Sequence, residues 1–288
     1  MVRTVVVHGV GHETDGELTL HSELFPYLRQ GVVRAGGSVA SGDVCFASYG
    51  QCFRQRGEVL APVQYFDATD VAEGYESELL LAWWRRAAEV DPRVVPPGQE
   101  VLARTPVWAS RALAALSRAR FLTGVGDRLL IGALKQVRRY FDEPELRSTI
   151  RGIVADAITD DTHVVIGHSL GSVVAYEVLC RLPEAPARSL VTLGSPLGLH
   201  NLVFDRLEPE PRLRGREGAR GHWPPPVRAW TNIADRGDVV AAVEDLRPLF
   251  GDGIRQIRVD NSSHAHDMRP YLTEKLTGAA IVAGLNAR

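Results

Sequence analysis

This chain has few cysteines, almost no net charge and no long apolar run. Each of these features excludes a class of protein. The 288 residues include three cysteines, Cys45, Cys52 and Cys180, and an odd, low count without pair-like spacing argues against a disulfide scaffold or a zinc site. The net charge of −2 provides no overall field that would favour nucleic acid or an acidic membrane as a partner. The uncharged stretch 162–176 is too short to span a bilayer.

The apolar run at the N-terminus is also short. His8 follows this run directly, so the run is shorter than the apolar region of a signal peptide. Apolar residues make up 45% of the chain and charged residues 24%, proportions typical of a globular protein with a sizeable core. We therefore expect a cytoplasmic protein with no nucleic-acid partner and no integral membrane segment.

Short β-branched runs alternate with helical patterns in the first and last parts of the chain. Such alternation predicts an α/β fold, with a mostly parallel central sheet and helices on both faces. The predicted strands are 2–7, 43–49, 162–166, 188–194, 227–234 and 253–260, and the predicted core helices are 18–35, 144–158, 170–182 and 271–284. A Pro-, Gly- and Arg-rich stretch between 202 and 226 predicts a long loop.

The middle of the chain, 51–142, has no convincing strand after about residue 66. We assign it to a helical insertion, a candidate cap, and assign 1–50 and 143–288 to the α/β core. The helical patterns inside the insertion are 73–90, 100–119 and 126–141.

Three tryptophans of the chain, Trp83, Trp84 and Trp108, lie in this insertion. Two interpretations are open. The helices pack on one another around these side chains, or they roof a site and supply an apolar pocket for an acyl chain or ring. The two are compatible, since a cap needs a core of its own, and we keep these tryptophans as candidate substrate-binding residues.

The sequence GHSLG, residues 167–171, stands between a predicted strand and a predicted helix. It matches the pattern G-x-S-x-G, in which the serine occupies a sharp, strained turn that exposes its hydroxyl at the edge of the sheet. Gly167 and Gly171 are explained by the same turn, because any side chain there would collide with neighbouring elements. The helix that begins at Leu170 directs its positive end at Ser169, which favours developing negative charge. We predict that Ser169 is a nucleophile.

With this motif, the sequence resembles the α/β-hydrolase superfamily, and in particular its lipase-like members. The resemblance covers 2–50 and 144–285 and includes VVVHGVGH, VTLGSPLG, NIADRGDVVA and SSHAHDMRPYL, in that order along the chain. The chain begins at what would be the third strand of the family. The resemblance therefore implies a core without the first two strands and a sheet of about six.

The resemblance also implies site residues. The oxyanion hole would use the backbone N–H groups of Leu170 and of Val10, which follows His8 and Gly9. His8 would orient the loop, and His12 would line the mouth of the site as a candidate substrate-binding residue.

For the remaining triad positions, two pairs of candidates compete. The acid is Asp238 or Asp235, and the resemblance favours Asp238, because lipase-like sequences place the acid directly before a small apolar pair. The base is His266 or His264, and the resemblance favours His266, because in similar sequences Tyr-Leu follows the histidine within a few residues. Either histidine would take the serine proton while the aspartate holds its tautomer.

A metal-dependent alternative rests on His8, His12, Asp15 and His21, which lie in a short span. Two glycines and a preceding strand make this span unlike a ligand-bearing helix face, so we expect neither a metal nor another cofactor.

The resemblance implies a serine hydrolase that cleaves an ester-type acyl bond through an acyl-enzyme, with a small-molecule or lipid-like acyl substrate. The same triad would serve an amidase, a peptidase or a thioesterase, and fold does not decide among them. An alternative of another class is a non-catalytic protein that binds a ligand with this fold.

Overall fold

A computed structural model of the chain describes residues 1–54, 66–98, 105–119, 126–213, 215 and 218–287. The strands are β1 (Thr4–Val7), β2 (Val44–Ala47), β3 (Val164–His168), β4 (Ser189–Leu193), β5 (Arg212–Leu213), β6 (Ala219–Arg220), β7 (Ala229–Asp235) and β8 (Ile254–Val259). The helices are α1 (Glu17–Arg34), α2 (Tyr75–Val90), α3 (Thr105–Leu116), α4 (Asp127–Asp142), α5 (Pro144–Ala157), α6 (Leu170–Arg181), α7 (Arg247–Phe250), α8 (Met268–Thr273) and α9 (Lys275–Asn286).

Six of the strands form one parallel sheet in the order β2-β1-β3-β4-β7-β8. Val5, Val6 and Val7 of β1 are fully buried, as expected of a strand that is covered on both sides. Val5 and Val7 join an apolar cluster with α2–α6, whereas Val6 joins one with α1, α8 and α9. The predicted α/β fold, with about six parallel strands and helices on both faces, is confirmed.

The last predicted helix, 271–284, is two helices in the structure. Glu274 has an extended backbone conformation between α8 and α9. The Asp267 side chain accepts a hydrogen bond from the Arg269 backbone N–H at 2.9 Å and thereby caps α8. Because of the break at Glu274, both helices can pack against α1.

Helices α2, α3 and α4 occupy the predicted insertion between β2 and β3. Trp83, Trp84 and Trp108 belong to the same apolar cluster as Val165 of β3, so the insertion shares one core with the sheet. Residues 100–104 of the predicted helix over 100–119 lie outside the described residues.

A buried carboxylate fastens the insertion to the core. Glu177 of α6 is fully buried and accepts a hydrogen bond from the Tyr140 hydroxyl of α4 at 2.6 Å. It also pairs with Arg147 and Arg151 of α5. Removing one partner of a buried ion pair typically costs ~3–5 kcal/mol, so this cluster holds α4 in place against α5 and α6.

The segment 202–226 is not a plain loop in its described residues. Strands β5 and β6 form a short antiparallel pair within it. Glu208 lies 3.1 Å from Arg147 and 2.8 Å from Arg151, which joins this segment to the same buried cluster. Within the described ranges, no helix is both long enough and apolar enough to cross a bilayer.

Candidate active site

Ser169 lies at the turn between β3 and α6, with φ 53° and ψ −130°. This conformation is costly for a residue with a side chain, by ~1–3 kcal/mol, and is maintained by tight surroundings. A Cβ on Gly167 would lie 2.5 Å from the Ser172 Cα, and one on Gly171 would lie 2.2 Å from the His8 carbonyl oxygen. Both glycines are therefore required by close backbone approach, as the sequence predicts.

His266 lies between β8 and α8, beside Ser169. Its Nε2 is 3.0 Å from the Ser169 Oγ, and its Nδ1 is 2.8 Å from Oδ2 of Asp238. Since a carboxylate only accepts hydrogen bonds, Nδ1 carries the proton and Nε2 accepts the serine hydroxyl proton. These three side chains follow the carboxyl ends of three parallel strands, which meet at one edge of the sheet. We call them the Ser–His–Asp chain.

The Asp238 carboxylate is fully buried and surrounded by donors. The Tyr271 hydroxyl donates to Oδ2 at 2.9 Å, and the backbone N–H of Val240 donates to Oδ1 at 2.9 Å. Burial alone would raise the pKa of Asp238, but electrostatic attraction to the neighbouring His266 imidazole and the hydrogen bonds from His266 and Tyr271 hold it below its usual value. Asp238 therefore stays ionised, which fixes the tautomer of His266.

Gly194 closes this part of the site. It has φ 51°, and a Cβ there would lie 2.6 Å from Oδ2 of Asp238 and 3.3 Å from Nδ1 of His266. Gly194 follows β4 directly, so the next strand of the sheet limits the space around the carboxylate.

The competing candidates, Asp235 and His264, are not part of the Ser–His–Asp chain. Asp235 accepts hydrogen bonds from the backbone N–H groups of Gly237 and Asn261. Burial raises the pKa of Asp235 to about 6. His264 is exposed and lies in a short 3₁₀ turn.

The loop after β1 approaches Ser169 closely. A Cβ on Gly9 would lie 2.8 Å from the Ser169 Cβ. His8 is buried and donates from Nδ1 to the Gly9 carbonyl at 2.6 Å, while its Nε2 accepts from the Tyr49 backbone N–H at 3.2 Å. Burial, followed by the nearby His12, lowers the pKa of His8 to about 3. His8 is therefore a neutral side chain that fixes the loop.

Two backbone N–H groups near Ser169 have no acceptor among the residues that the structure describes. Neither Val10 nor Leu170 donates a backbone hydrogen bond to any residue in the described ranges. Gly11, next to Val10, donates to Oε1 of Gln136 at 3.2 Å. Gln136 belongs to α4, so a helix of the insertion holds the loop that carries Val10.

No family model matches the chain, and no curated protein matches it either.

An apolar cavity of about 470 Å³ opens beside Ser169 and His266. We call it the apolar cavity. Its walls include Leu79 and Trp83 of α2 and the α4 side chains Leu130, Ala133 and Val137. Trp84 and Trp108, the other candidate substrate-binding tryptophans, are not among its lining residues. Trp84 is buried and donates from Nε1 to the Val95 carbonyl at 2.8 Å, and Trp108 is buried in the shared core.

A second cavity, of about 650 Å³, also reaches Ser169 and His266. We call it the second cavity. Its polar lining residues include His12, Glu23, His168, Asp267 and Arg269, and Leu24, Tyr27 and Met268 also line it. His12 thus lies at the mouth of the site, where its Nδ1 is 2.7 Å from Oδ2 of Asp15.

Of the histidines near the N-terminus, His8 and His12 are neighbours, with ring centroids 5.0 Å apart. His21 contacts the Ser41 carbonyl at 3.1 Å, whereas His8 is used by the loop after β1. Among the residues that the structure describes, no three His, Cys, Asp or Glu side chains are grouped so that they could hold a metal ion.

Sequence reasoning missed three residues of the site: Tyr271, Gly194 and Gln136. In the sequence, Tyr271 stands out only as the start of the Tyr-Leu pair that follows His266, and Gly194 only as part of VTLGSPLG. For Gln136 the local sequence holds no signal, because its partner Gly11 lies 125 residues away in the chain.

Proposed function

We propose that this protein is a serine hydrolase that cleaves a carboxylic ester through an acyl-enzyme. The observation that carries the proposal is the Ser–His–Asp chain, with a 3.0 Å contact from Ser169 to His266 and a 2.8 Å contact from His266 to Asp238. Such contacts are within the range expected of a nucleophile, its base and the group that orients the base.

In the proposed mechanism, Ser169 Oγ attacks the ester carbonyl carbon while His266 Nε2 takes its proton. Charge that develops on the carbonyl oxygen is stabilised by the backbone N–H groups of Val10 and Leu170, and losing one such donor typically costs ~3 kcal/mol of transition-state stabilisation. His266 then gives its proton to the leaving alkoxide as the acyl carbon–oxygen bond breaks. Water, activated by the same histidine, hydrolyses the acyl-enzyme. No cofactor takes part.

The apolar cavity supports an acyl chain or ring as the part of the substrate that is retained on Ser169. Its walls on α2 and α4 support a role for the insertion as a cap that selects the acyl group. Trp83 is the tryptophan that contributes to this wall.

Backbone strain at Ser169 favours catalysis over passive binding by the same fold. A ligand-binding protein would gain nothing from φ 53° at a serine enclosed by glycines, whereas a nucleophile needs its hydroxyl held towards the base.

Fluorophosphonate labelling combined with ester hydrolysis tests the proposal. The Ser169→Ala variant should not label and should lose activity by a factor on the order of 10⁴ or more, since the three residues act as a unit. Ser22, an exposed serine of α1, provides the control. Ser22→Ala should label and hydrolyse like the wild type. Labelling of Ser169→Ala would contradict the assignment.

Acyl substrates of one chain length, presented as ester, thioester and amide, decide the bond type. We expect the ester to be the best substrate by kcat/KM. A cytoplasmic location belongs to the same proposal, because Cys45, Cys52 and Cys180 are all free thiols, as is usual in a reducing compartment. Fractionation of the source cells tests it.

A further inference from the structure

Asp235, the last residue of β7, lies outside the Ser–His–Asp chain but contacts both loops that carry its other members. We call 236–238, which ends in Asp238, the acid loop, and 260–266, which ends in His266, the histidine loop. Beyond β7 and β8, no backbone–backbone hydrogen bond joins these two loops in the described part of the chain. Their relative position therefore depends on side chains.

The side chain of Asp235 bridges the two loops. The residue is buried, with 1% of its surface exposed. Its Oδ1 accepts from the backbone N–H of Gly237 at 2.7 Å, and its Oδ2 accepts from the backbone N–H of Asn261. Gly237 directly precedes Asp238, and Asn261 directly precedes the short 3₁₀ turn that leads to His266. Both carboxylate oxygens are thus engaged, one by each loop.

The backbone of Asp235 adds a third connection, to α8. Its N–H donates to the Tyr271 hydroxyl at 2.8 Å, and that hydroxyl donates to Oδ2 of Asp238 at 2.9 Å. Asp235 therefore holds a donor of the Asp238 carboxylate by its backbone and both loops by its side chain. Small displacements matter here, because a shift of about 1 Å in a catalytic group can lower the rate roughly a hundredfold.

The Asp235 carboxylate has no cationic partner among the residues that the structure describes. It lines a third cavity, of about 610 Å³. The other charged groups of that cavity are Arg86 of α2, Arg236, Glu244, Arg258 and Asp260. Two of these arginines, Arg86 and Arg258, pair with Glu244, at 2.5 and 2.7 Å. The bridge between the loops is therefore a buried charge that backbone N–H groups hold.

Ionisation of this buried group works against stability. Burial, together with the nearby charges of Asp238 and Asp260, raises the pKa of Asp235 to about 6, although two backbone N–H groups lower it. Because that pKa lies above the value in the unfolded chain, the stability that Asp235 contributes is present at low pH and is lost as pH rises through about 6. At neutral pH, stability alone therefore gives no reason for a carboxylate at this position.

We propose that Asp235 is a positioning residue, whose carboxylate holds the acid loop and the histidine loop in register so that Asp238 and His266 meet Ser169. The inference rests on the proposed function. Asp235 touches no reacting atom and acts through the two loops. An amide in its place offers one acceptor and turns an N–H donor towards the other loop, and protonation of the carboxyl has a similar effect.

Asp235→Asn, which has nearly the same shape, tests the proposal in the intact protein with an ester that the wild type hydrolyses. At pH 8, kcat should fall roughly tenfold, the effect of one hydrogen bond to a charged group, while KM changes little. The variant should not melt earlier than the wild type at this pH, because it removes a buried charge. A loss of rate without a loss of stability separates positioning from a merely structural role.

The ratio of wild-type kcat to Asp235→Asn kcat, measured across pH, isolates the Asp235 carboxylate. Titration of His266 affects both proteins and cancels in this ratio. The ratio should be roughly tenfold at pH 8 and should fall towards one below about pH 5, with its midpoint near 6, as the wild-type carboxyl takes up a proton.

Asp245→Asn is the matched control. Asp245 also accepts from the backbone N–H two residues on, that of Arg247 at 3.0 Å, but its carboxylate binds the Arg247 guanidinium and it belongs to neither loop. The kcat of this variant should stay near that of the wild type at every pH. The far-downfield proton NMR signal of the His266–Asp238 hydrogen bond should shift or broaden in Asp235→Asn and stay unchanged in Asp245→Asn.

A wild-type kcat in Asp235→Asn at pH 8 would overturn the inference. So would a loss of rate that is independent of pH or that follows a lower Tm, because either would reduce Asp235 to a structural role. An unchanged NMR signal beside a lower kcat would also overturn it, since the two loops would then have kept their register. Failure of the wild type to hydrolyse any ester or to be labelled at Ser169 would instead refute the proposed function.

Discussion

Replacing Gln136 with leucine should slow the chemical step without touching any residue of the Ser–His–Asp chain. Gln136 is 5% exposed, accepts from the Gly11 N–H at 3.2 Å and donates from Nε2 to the Glu13 carboxylate. Leucine has similar size but can do neither. The loop that holds Val10, a proposed oxyanion donor, would then lose its attachment to α4.

The size of the effect follows from the contacts that are lost. Gly11 is exposed and Glu13 is half-buried, so water can bind both groups in the variant, and Gln136→Leu should lower the free energy of unfolding by the ~0.5–1.5 kcal/mol that a hydrogen bond typically contributes. Complete loss of one oxyanion donor would cost ~3 kcal/mol. Because His8 and Tyr49 still hold the other end of the loop, we expect part of that loss, and kcat should fall roughly tenfold to a hundredfold. KM should change little.

A reciprocal exchange separates positioning from simple destabilisation. In the double variant Glu13→Gln and Gln136→Glu, the two side chains exchange roles: the carboxylate at position 136 can accept from Gly11 and from the amide at position 13. We expect this double variant to recover most of the kcat that Gln136→Leu loses. Steady-state kinetics and thermal melts of the wild type and both variants provide the comparison. An unchanged kcat in Gln136→Leu with a lower Tm would refute the reasoning, because it would mean that His8 and Tyr49 alone position Val10.

Three further outcomes are expected. Gly194→Ala places a Cβ 2.6 Å from Oδ2 of Asp238, at a strain cost of ~1–3 kcal/mol, so kcat/KM should fall more than roughly tenfold. A change in kcat/KM within twofold would show that the carboxylate has room to move. Trp83→Ala should shift the preferred acyl length, by ~1–3 kcal/mol of discrimination per methylene, whereas Trp108→Ala should lower Tm and all rates together. The same pattern in both variants would contradict the assignment of Trp83 to the cavity wall and of Trp108 to the core. Burial raises the pKa of Asp235 to about 6, above its unfolded value of ~3.9, so its contribution to stability is full below about pH 4 and is lost as pH rises towards 6. Melts from pH 4 to 7 should show this fall, and Asp235→Asn should flatten it; an identical slope in the variant would contradict the raised pKa.

The sequence carries enough information for the α/β core because each strand there is a short apolar run bounded by polar or glycine-rich residues. Runs such as 162–166 and 188–194 are shorter than a typical helix and contain β-branched residues, which favours a buried strand. The break at Glu274 could not be predicted in the same way. The break depends on how α8 and α9 each pack on α1. Such packing between distant parts of the chain cannot be predicted from residue propensity or from hydrophobic periodicity.

The site residues also differ in how far the sequence predicts them. Ser169 is marked by local geometry, because two glycines and a strand–helix junction are all visible within five residues. The choice of Asp238 and His266 rests on resemblance to a family, and the structure brings these two side chains together with Ser169 and leaves Asp235 and His264 apart. Trp83, by contrast, could not be distinguished from its neighbour Trp84, since adjacent residues on a helix face different directions and only tertiary packing decides which one borders the cavity.

The position of the insertion has a consequence for how the chain is made. Strand β1 pairs with β3, with Thr4 opposite Val164, so two neighbours at the centre of the sheet are separated by more than half of the chain. At ~5–20 residues per second, a ribosome needs on the order of ten seconds to proceed from β2 to β3. During that interval β1 has an open edge of unpaired backbone groups, which is a template for pairing with other nascent chains. Shielding of this edge during translation, by early collapse of α1 or by a chaperone, would then set the yield of native protein more than the final stability does.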